Sequence, residues 1–145
     1  MNIFEALRKD HDKQRALLDR LSHTSGASDE RVSLYAELKE ELQHHAVAEE
    51  RHFYSPLIDV DMTIELSRHG IAEHHEIDEL LEEIDDADMS TSAWMAAFKK
   101  LKHKVEHHLE EEEQEFFPVA GRALSEEQKQ SLAEEYAAEM HEQAA

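Results

Sequence analysis

Cysteine is absent from the 145 residues, proline occurs twice and glycine three times. Without cysteine there is no disulfide framework and no thiolate metal site, and no clue to a redox compartment. So few breakers leave room for long helices. Positive charge is also scarce: 15 Lys and Arg stand against 35 Asp and Glu, a net charge of −20. Nucleic acid and anionic membrane surfaces are both repelled by such a chain, so neither is an expected partner. No apolar run approaches the length of a membrane span. The opening MNIFEALRKDHDKQ turns charged by Glu5 and holds no signal-peptide core, so a cytoplasmic protein is expected.

What is present is an amphipathic helical pattern, with 40% apolar and 34% charged residues. The spacing predicts a first helix from Asn2 to about Leu21, with Phe4, Leu7, His11, Leu18 and Leu21 on one face. SHTSGASDE then reads as a loop, with Ser28 or Asp29 as the next cap. A second helix is expected from about Glu30 to Tyr54, stopped by Pro56, and a third from about Met62 to Asp85. DDADMSTS breaks the pattern before a fourth helix, about Ser92 to Phe117, ending at Pro118. Ser125 and Gln128 form a capping box for a short fifth helix to about Glu142. The expected fold is all-α: one domain over 1–145, an up-down-up-down four-helix bundle about 30 Å long with a C-terminal helix added.

The chain also repeats itself. DHDKQRALLDRL at Asp10 resembles EHHEIDELLEEI at Glu73, and HHAVAEERHFY at His44 resembles HHLEEEEQEFF at His107. His11 and His74, His45 and His108, and Glu49 and Glu112 are each sixty-three positions apart. Two helical hairpins related by a pseudo-twofold axis would bring these equivalent positions together in the core. The offset also selects among neighbours. His45 has Glu49 one turn on, whereas His44 has Ala48; His107 and His108 both have a Glu one turn on, and the repeat picks His108 with Glu112. His74 shares a face with Ile71, Ile77 and Leu81, while His75 lies one position off it.

His11, His45, Glu49, His74, His108 and Glu112 are thus aimed inward. A buried carboxylate without a partner is costly, and two facing each other repel. Cations between them remove both objections, because imidazole suits iron, zinc or copper and a carboxylate can bridge two metals. A single histidine on an apolar stripe is more often a hydrogen-bonded core residue. Two His-x3-Glu pairs at a shared offset, each preceded by a histidine at the same offset, are hard to obtain by chance. The other histidines read as solvated or as neighbours of a site, and Phe53, Trp94, Phe98 and Phe116 as core.

The order His, His-x3-Glu, His, His-x3-Glu, with HAVAEERHFYSP on the second helix, resembles the hemerythrin-like, HHE cation-binding family over about residues 3–120. The resemblance implies two non-haem iron ions, oxo- or hydroxo-bridged, with Glu49 and Glu112 as carboxylate bridges and the four histidines as terminal ligands. It implies a small-molecule partner, dioxygen, peroxide or nitric oxide, in a monomer or weak homo-oligomer. Oxygen-carrying hemerythrins add a fifth histidine in a His-x3-His pair on the third helix. Here Gly70 and Asp78 flank His74 at that spacing, with His69 close by, so His69, Asp78 or water is left to complete the shell. A binding protein, a peroxide- or nitric-oxide-consuming enzyme with Tyr54 or His52 as proton donor, and an iron sensor or store all fit this pattern.

Overall fold

Local sequence chemistry starts each helix. In this computed structural model, which describes residues 1–144, α1 (Ile3–Ser22) opens on a reciprocal cap. The Asn2 side chain accepts from the Glu5 N–H, and the Glu5 carboxylate accepts from the Asn2 N–H. Such a cap is worth about 1 kcal/mol. Ser28 caps α2 (Asp29–Glu49) by accepting from the Arg31 N–H, and Thr91 caps α5 (Ser92–Glu111) by accepting from that of Trp94. Ser125 and Gln128 close the expected capping box ahead of α7 (Glu126–Ala144). Among the described residues every regular element is helical.

The two prolines do not stop their helices as expected. After α2 comes a π turn, Glu50–Tyr54, which leads into α3 (Ser55–Ile58). After α5 a second π turn, Glu112–Phe116, leads into α6 (Phe117–Ala123). The Ser55 N–H reaches back to the Glu50 carbonyl, and the Phe117 N–H to that of Glu112. These i to i+5 bonds widen the turn, so each proline enters at the start of a fresh α segment, where its missing N–H costs least. The rod continues. Only its register changes.

α1 packs along α2, and α4 (Ile64–Asp86) along α5; contacts of α1 with α5 and of α2 with α4 close the four-helix bundle. α7 lies against α1 and α2 rather than capping the bundle end. At the loop end, Leu18, Leu38, Leu81, Trp94, Phe98 and Leu101 form one apolar cluster. Ile3, Leu7, Phe53, Leu57, Phe116 and Tyr136 belong to a second cluster at the opposite end. Each such side chain contributes about 1.5–3 kcal/mol on burial. Buried Arg31 ties the two hairpin loops together, donating to the carbonyls of Thr24 and Met89 while its guanidinium lies over the Trp94 ring.

Candidate metal centre

A single polar layer lies between the two apolar clusters. His11 of α1, His45 and Glu49 of α2, His74 of α4, His108 of α5 and Glu112 of the second π turn meet in this layer, all buried. The Nε2 of His11 lies 3.2 Å from Glu112 and that of His74 lies 3.0 Å from Glu49. His45 and His108 sit one turn before their own glutamates, at 3.5 and 3.7 Å. Donor atoms of His11, His45 and Glu49 all fall within 4.8 Å of one another, as do those of Glu49, His74 and His108. Glu49 belongs to both groups.

The outward-facing ring nitrogens are held separately. His11 Nδ1 meets Glu113 at 2.7 Å, His74 Nδ1 meets Glu50 at 3.1 Å and His108 Nδ1 meets Glu73 at 2.8 Å. His45 Nδ1 meets the Tyr136 hydroxyl at 2.5 Å, and that hydroxyl donates to Asp10. With an acceptor at every Nδ1, each neutral ring carries its proton there and turns the Nε2 lone pair inward. Six of the inward atoms have no hydrogen-bond partner. His11 Nε2, His45 Nε2, His108 Nε2, both oxygens of Glu49 and one of Glu112 are buried without hydrogen-bond partners. Buried polar atoms are normally satisfied, so six orphans in one cage require an explanation.

The charges show the same incompleteness. Burial pulls His74 down, but Glu49 and Glu50 outweigh it and hold the ring at about 10. His45 is likewise carried to about 8, and His11 well above its ordinary value, by the carboxylates around them. Burial and the neighbouring Glu49 push Glu112 up. The crowded carboxylates thus favour positive charge in the cage.

Tyr54 enters the same cage. In an α-helix Phe53 would share the face of Glu49, but the π turn brings position 54 beneath it instead. Its hydroxyl donates to Glu112, and its ring lies 5.2 Å from that of His74. Burial and the charges of Glu112 and Glu49 raise this phenol well above its ordinary value, so it stays protonated. Tyr54 also takes the room that a side chain at Gly70 would need: a Cβ there would lie 2.5 Å from the Tyr54 ring. Neither His69 nor Asp78 completes the shell. His69 Nε2 points outward to Glu111 at 2.8 Å, and Asp78 is exposed. His52 faces Glu135 and Glu139 of α7, away from the cage.

Sequence reasoning missed Asp10, Glu50, Glu73, Glu113 and Tyr136 as supports. For four of them the signal was available, since Asp10 and Glu73, and Glu50 and Glu113, keep the same sixty-three-residue offset as the inward residues. Tyr136 lies outside the repeat and carries no such mark.

A four-helix bundle with a buried imidazole and carboxylate cage at mid-height defines a class of metal-binding bundle. The family model for the hemerythrin HHE cation binding domain matches residues 2–120, and the chain belongs to that family. It is also similar to the crystal structure of a hemerythrin HHE cation binding domain-containing protein from Mycobacterium kansasii. The TM-score is 0.90 at 25% identity, over 99% of this chain and 87% of that one. No curated protein matches the chain. Among the described residues no helix is long and apolar enough to cross a membrane.

Proposed function

We propose that this is a non-haem di-iron protein that takes a small oxidant, dioxygen or a relative such as peroxide or nitric oxide, at a carboxylate-bridged metal pair. The observation that carries the reading is the set of six orphaned donor atoms, turned inward while every Nδ1 is held from outside. His11 and His45 with Glu49 suit one ion, and His74 and His108 with Glu49 suit the other. Glu49 and Glu112 stand between the two positions. Four histidines and two bridging carboxylates would offer each ion four donors, so a six-coordinate iron would keep open positions. Such a pair supplies redox chemistry and open coordination sites.

The protein's own groups would do the rest. Glu50, Glu73 and Glu113, and Asp10 through Tyr136, fix the tautomer and angle of the rings. The two apolar clusters keep bulk water out. A small cavity lined by Gln14, Leu42, Ile77 and the rings of His45, His74 and His108 adjoins the cage. The Gln14 Nε2 is buried without a partner and is available to a bound ligand.

A peroxide- or nitric-oxide-consuming enzyme is the second reading, and Tyr54 favours it. Its buried hydroxyl donates to Glu112 inside the cage, which places a hydrogen-bond donor beside any oxidant turned over there. Metal analysis with visible spectra of oxidised, reduced and air-exposed protein tests both. Two irons per chain and azide-sensitive bands in the diferric form are expected. A reversible coloured adduct with dioxygen supports carriage. Oxidation without an adduct, together with loss of added peroxide, supports the enzyme. One ion per chain, or a preference for zinc, would sink the di-iron reading.

A further inference from the structure

Outside the cage one more group of metal-type donors comes together. His69 of α4 and Glu111 of α5 meet at 2.8 Å, and His107 approaches the other oxygen of Glu111 at 3.1 Å. Glu73 Oε1 lies 3.4 Å from His69 Nε2, and His69, Glu73 and Glu111 offer atoms that all fall within 4.8 Å of one another. His69 and His107 are exposed, and Glu111 is half-buried.

His69, Glu73 and Glu111 line a cavity between α4 and α5. The cavity wall includes Gly70, and its inner lining includes His108 and Glu112. His108 Nε2 and one Glu112 oxygen are buried without a partner, so unsatisfied donors stand at its inner end. Glu73 spans the depth, because the oxygen that faces His69 is 2.8 Å from His108 Nδ1. Rim and cage are thus joined by one carboxylate.

We infer that His69 and Glu111, together with Glu73, form a loading site, which captures a divalent cation near the surface and passes it along Glu73 to the cage. A hydrated cation must shed its waters to enter a buried site, and donors arranged from rim to interior replace them in steps. A site with one exposed histidine and one half-buried carboxylate at its outer side is weak and fast-exchanging, suited to transit rather than storage. Glu73, Glu111 and Glu112 draw cations to the cavity; Lys104, 3.2 Å from Glu73, is the cation opposing them. The inference rests on the reading of the cage as a metal centre.

The test follows Co(II) loading into the metal-free 145-residue chain by stopped flow, read from the visible bands of the filled cage. In the unaltered protein the rate should saturate as Co(II) rises, because a surface complex forms first. Glu111→Gln and His69→Ala should each slow loading about tenfold at low Co(II), make its concentration dependence linear, and leave the final two-ion occupancy and spectrum unchanged. His75→Ala, which removes an exposed histidine paired with Glu79 on the same helix away from the cavity, should load at the original rate. Loading at the original rate in Glu111→Gln and His69→Ala overturns the inference while leaving the cage reading intact. A lower final occupancy in those variants overturns it too, since the residues would then belong to the cage. Failure of the unaltered protein to hold two ions would instead bring down the cage reading.

Discussion

At the His74–His108 half of the cage, Glu73 reaches His108 Nδ1 directly at 2.8 Å. At the His11–His45 half the equivalent acid is Asp10, one methylene shorter, and it stands 3.9 Å from His45 Nδ1. The Tyr136 hydroxyl from α7 fills that gap. Two further pairs break the symmetry. Tyr54 lies beside His74 where Phe117 stacks 5.9 Å from His11, and Gln14 stands where the other half has Ile77. A duplicated hairpin thus supplies equal ligands and unequal surroundings. Under the proposed two-ion reading, this inequality lets positions with like donors differ in access and affinity.

The hardest way to break the comparison is to remove what both halves share. Glu49→Ala or Glu112→Ala should weaken metal binding by more than about 100-fold and leave less than two ions per chain on elemental analysis. Variants that retain two tightly held ions would show that the carboxylates do not bridge.

Removing the metal itself comes next. Cations that bind the native cage at about 1,000 times their dissociation constant add about 4 kcal/mol. Chelation should therefore lower the melting temperature by roughly 10 °C in a domain of this size. The gap should also depend on pH. In the metal-free protein His45 and His74 are raised to about 8 and about 10, so their charge stabilises the fold fully below about 6.5. That contribution is lost as pH rises through 8 and then 10. The loaded protein carries metal in place of those protons, so the apo–holo difference should widen over this window, and loading at pH 7 should release protons. An apo form that grows more stable between pH 7 and 10 would contradict this assignment.

The halves can then be probed one at a time. Glu73→Ala removes the carboxylate that holds His108 Nδ1 at 2.8 Å and should weaken the ion there about 10- to 100-fold. Tyr136→Phe keeps the ring in its apolar setting and leaves Asp10 close to His45, so its effect on metal affinity should be smaller. Competition titration with a chelating dye orders the two, and the reverse order would mean that α7 matters more than the shared repeat.

Smaller effects should sharpen the contrast without emptying the site. Tyr54→Phe should keep both ions but alter the visible bands of the diferric form and slow any peroxide consumption. Gln14→Leu should weaken azide binding about five- to tenfold, the worth of one hydrogen bond. Azide affinity unchanged in Gln14→Leu would place the ligand elsewhere.

Much of this was legible in the chain. Scarce breakers, periodic leucines and the capping residues Ser28 and Ser125 foretold the helices, because caps and apolar stripes are local. The repeat exposed the inward set, since a duplicated hairpin writes its symmetry as a constant offset. Two features lay beyond periodicity, although Tyr54 is already a candidate proton donor in the sequence. A 3.6-residue period aims Phe53 rather than Tyr54 at Glu49, and only the π turn ahead of Pro56 reverses that; the widened turn depends on how the whole rod packs. The part played by Tyr136 depends on α7 lying along α1 and α2, ninety-one positions from the His45 it supports. Periodicity and spacing report which face a residue takes on its own helix. Which distant side chain closes the last gap is decided by packing, where one methylene between Asp10 and Glu73 determines whether a tyrosine is needed.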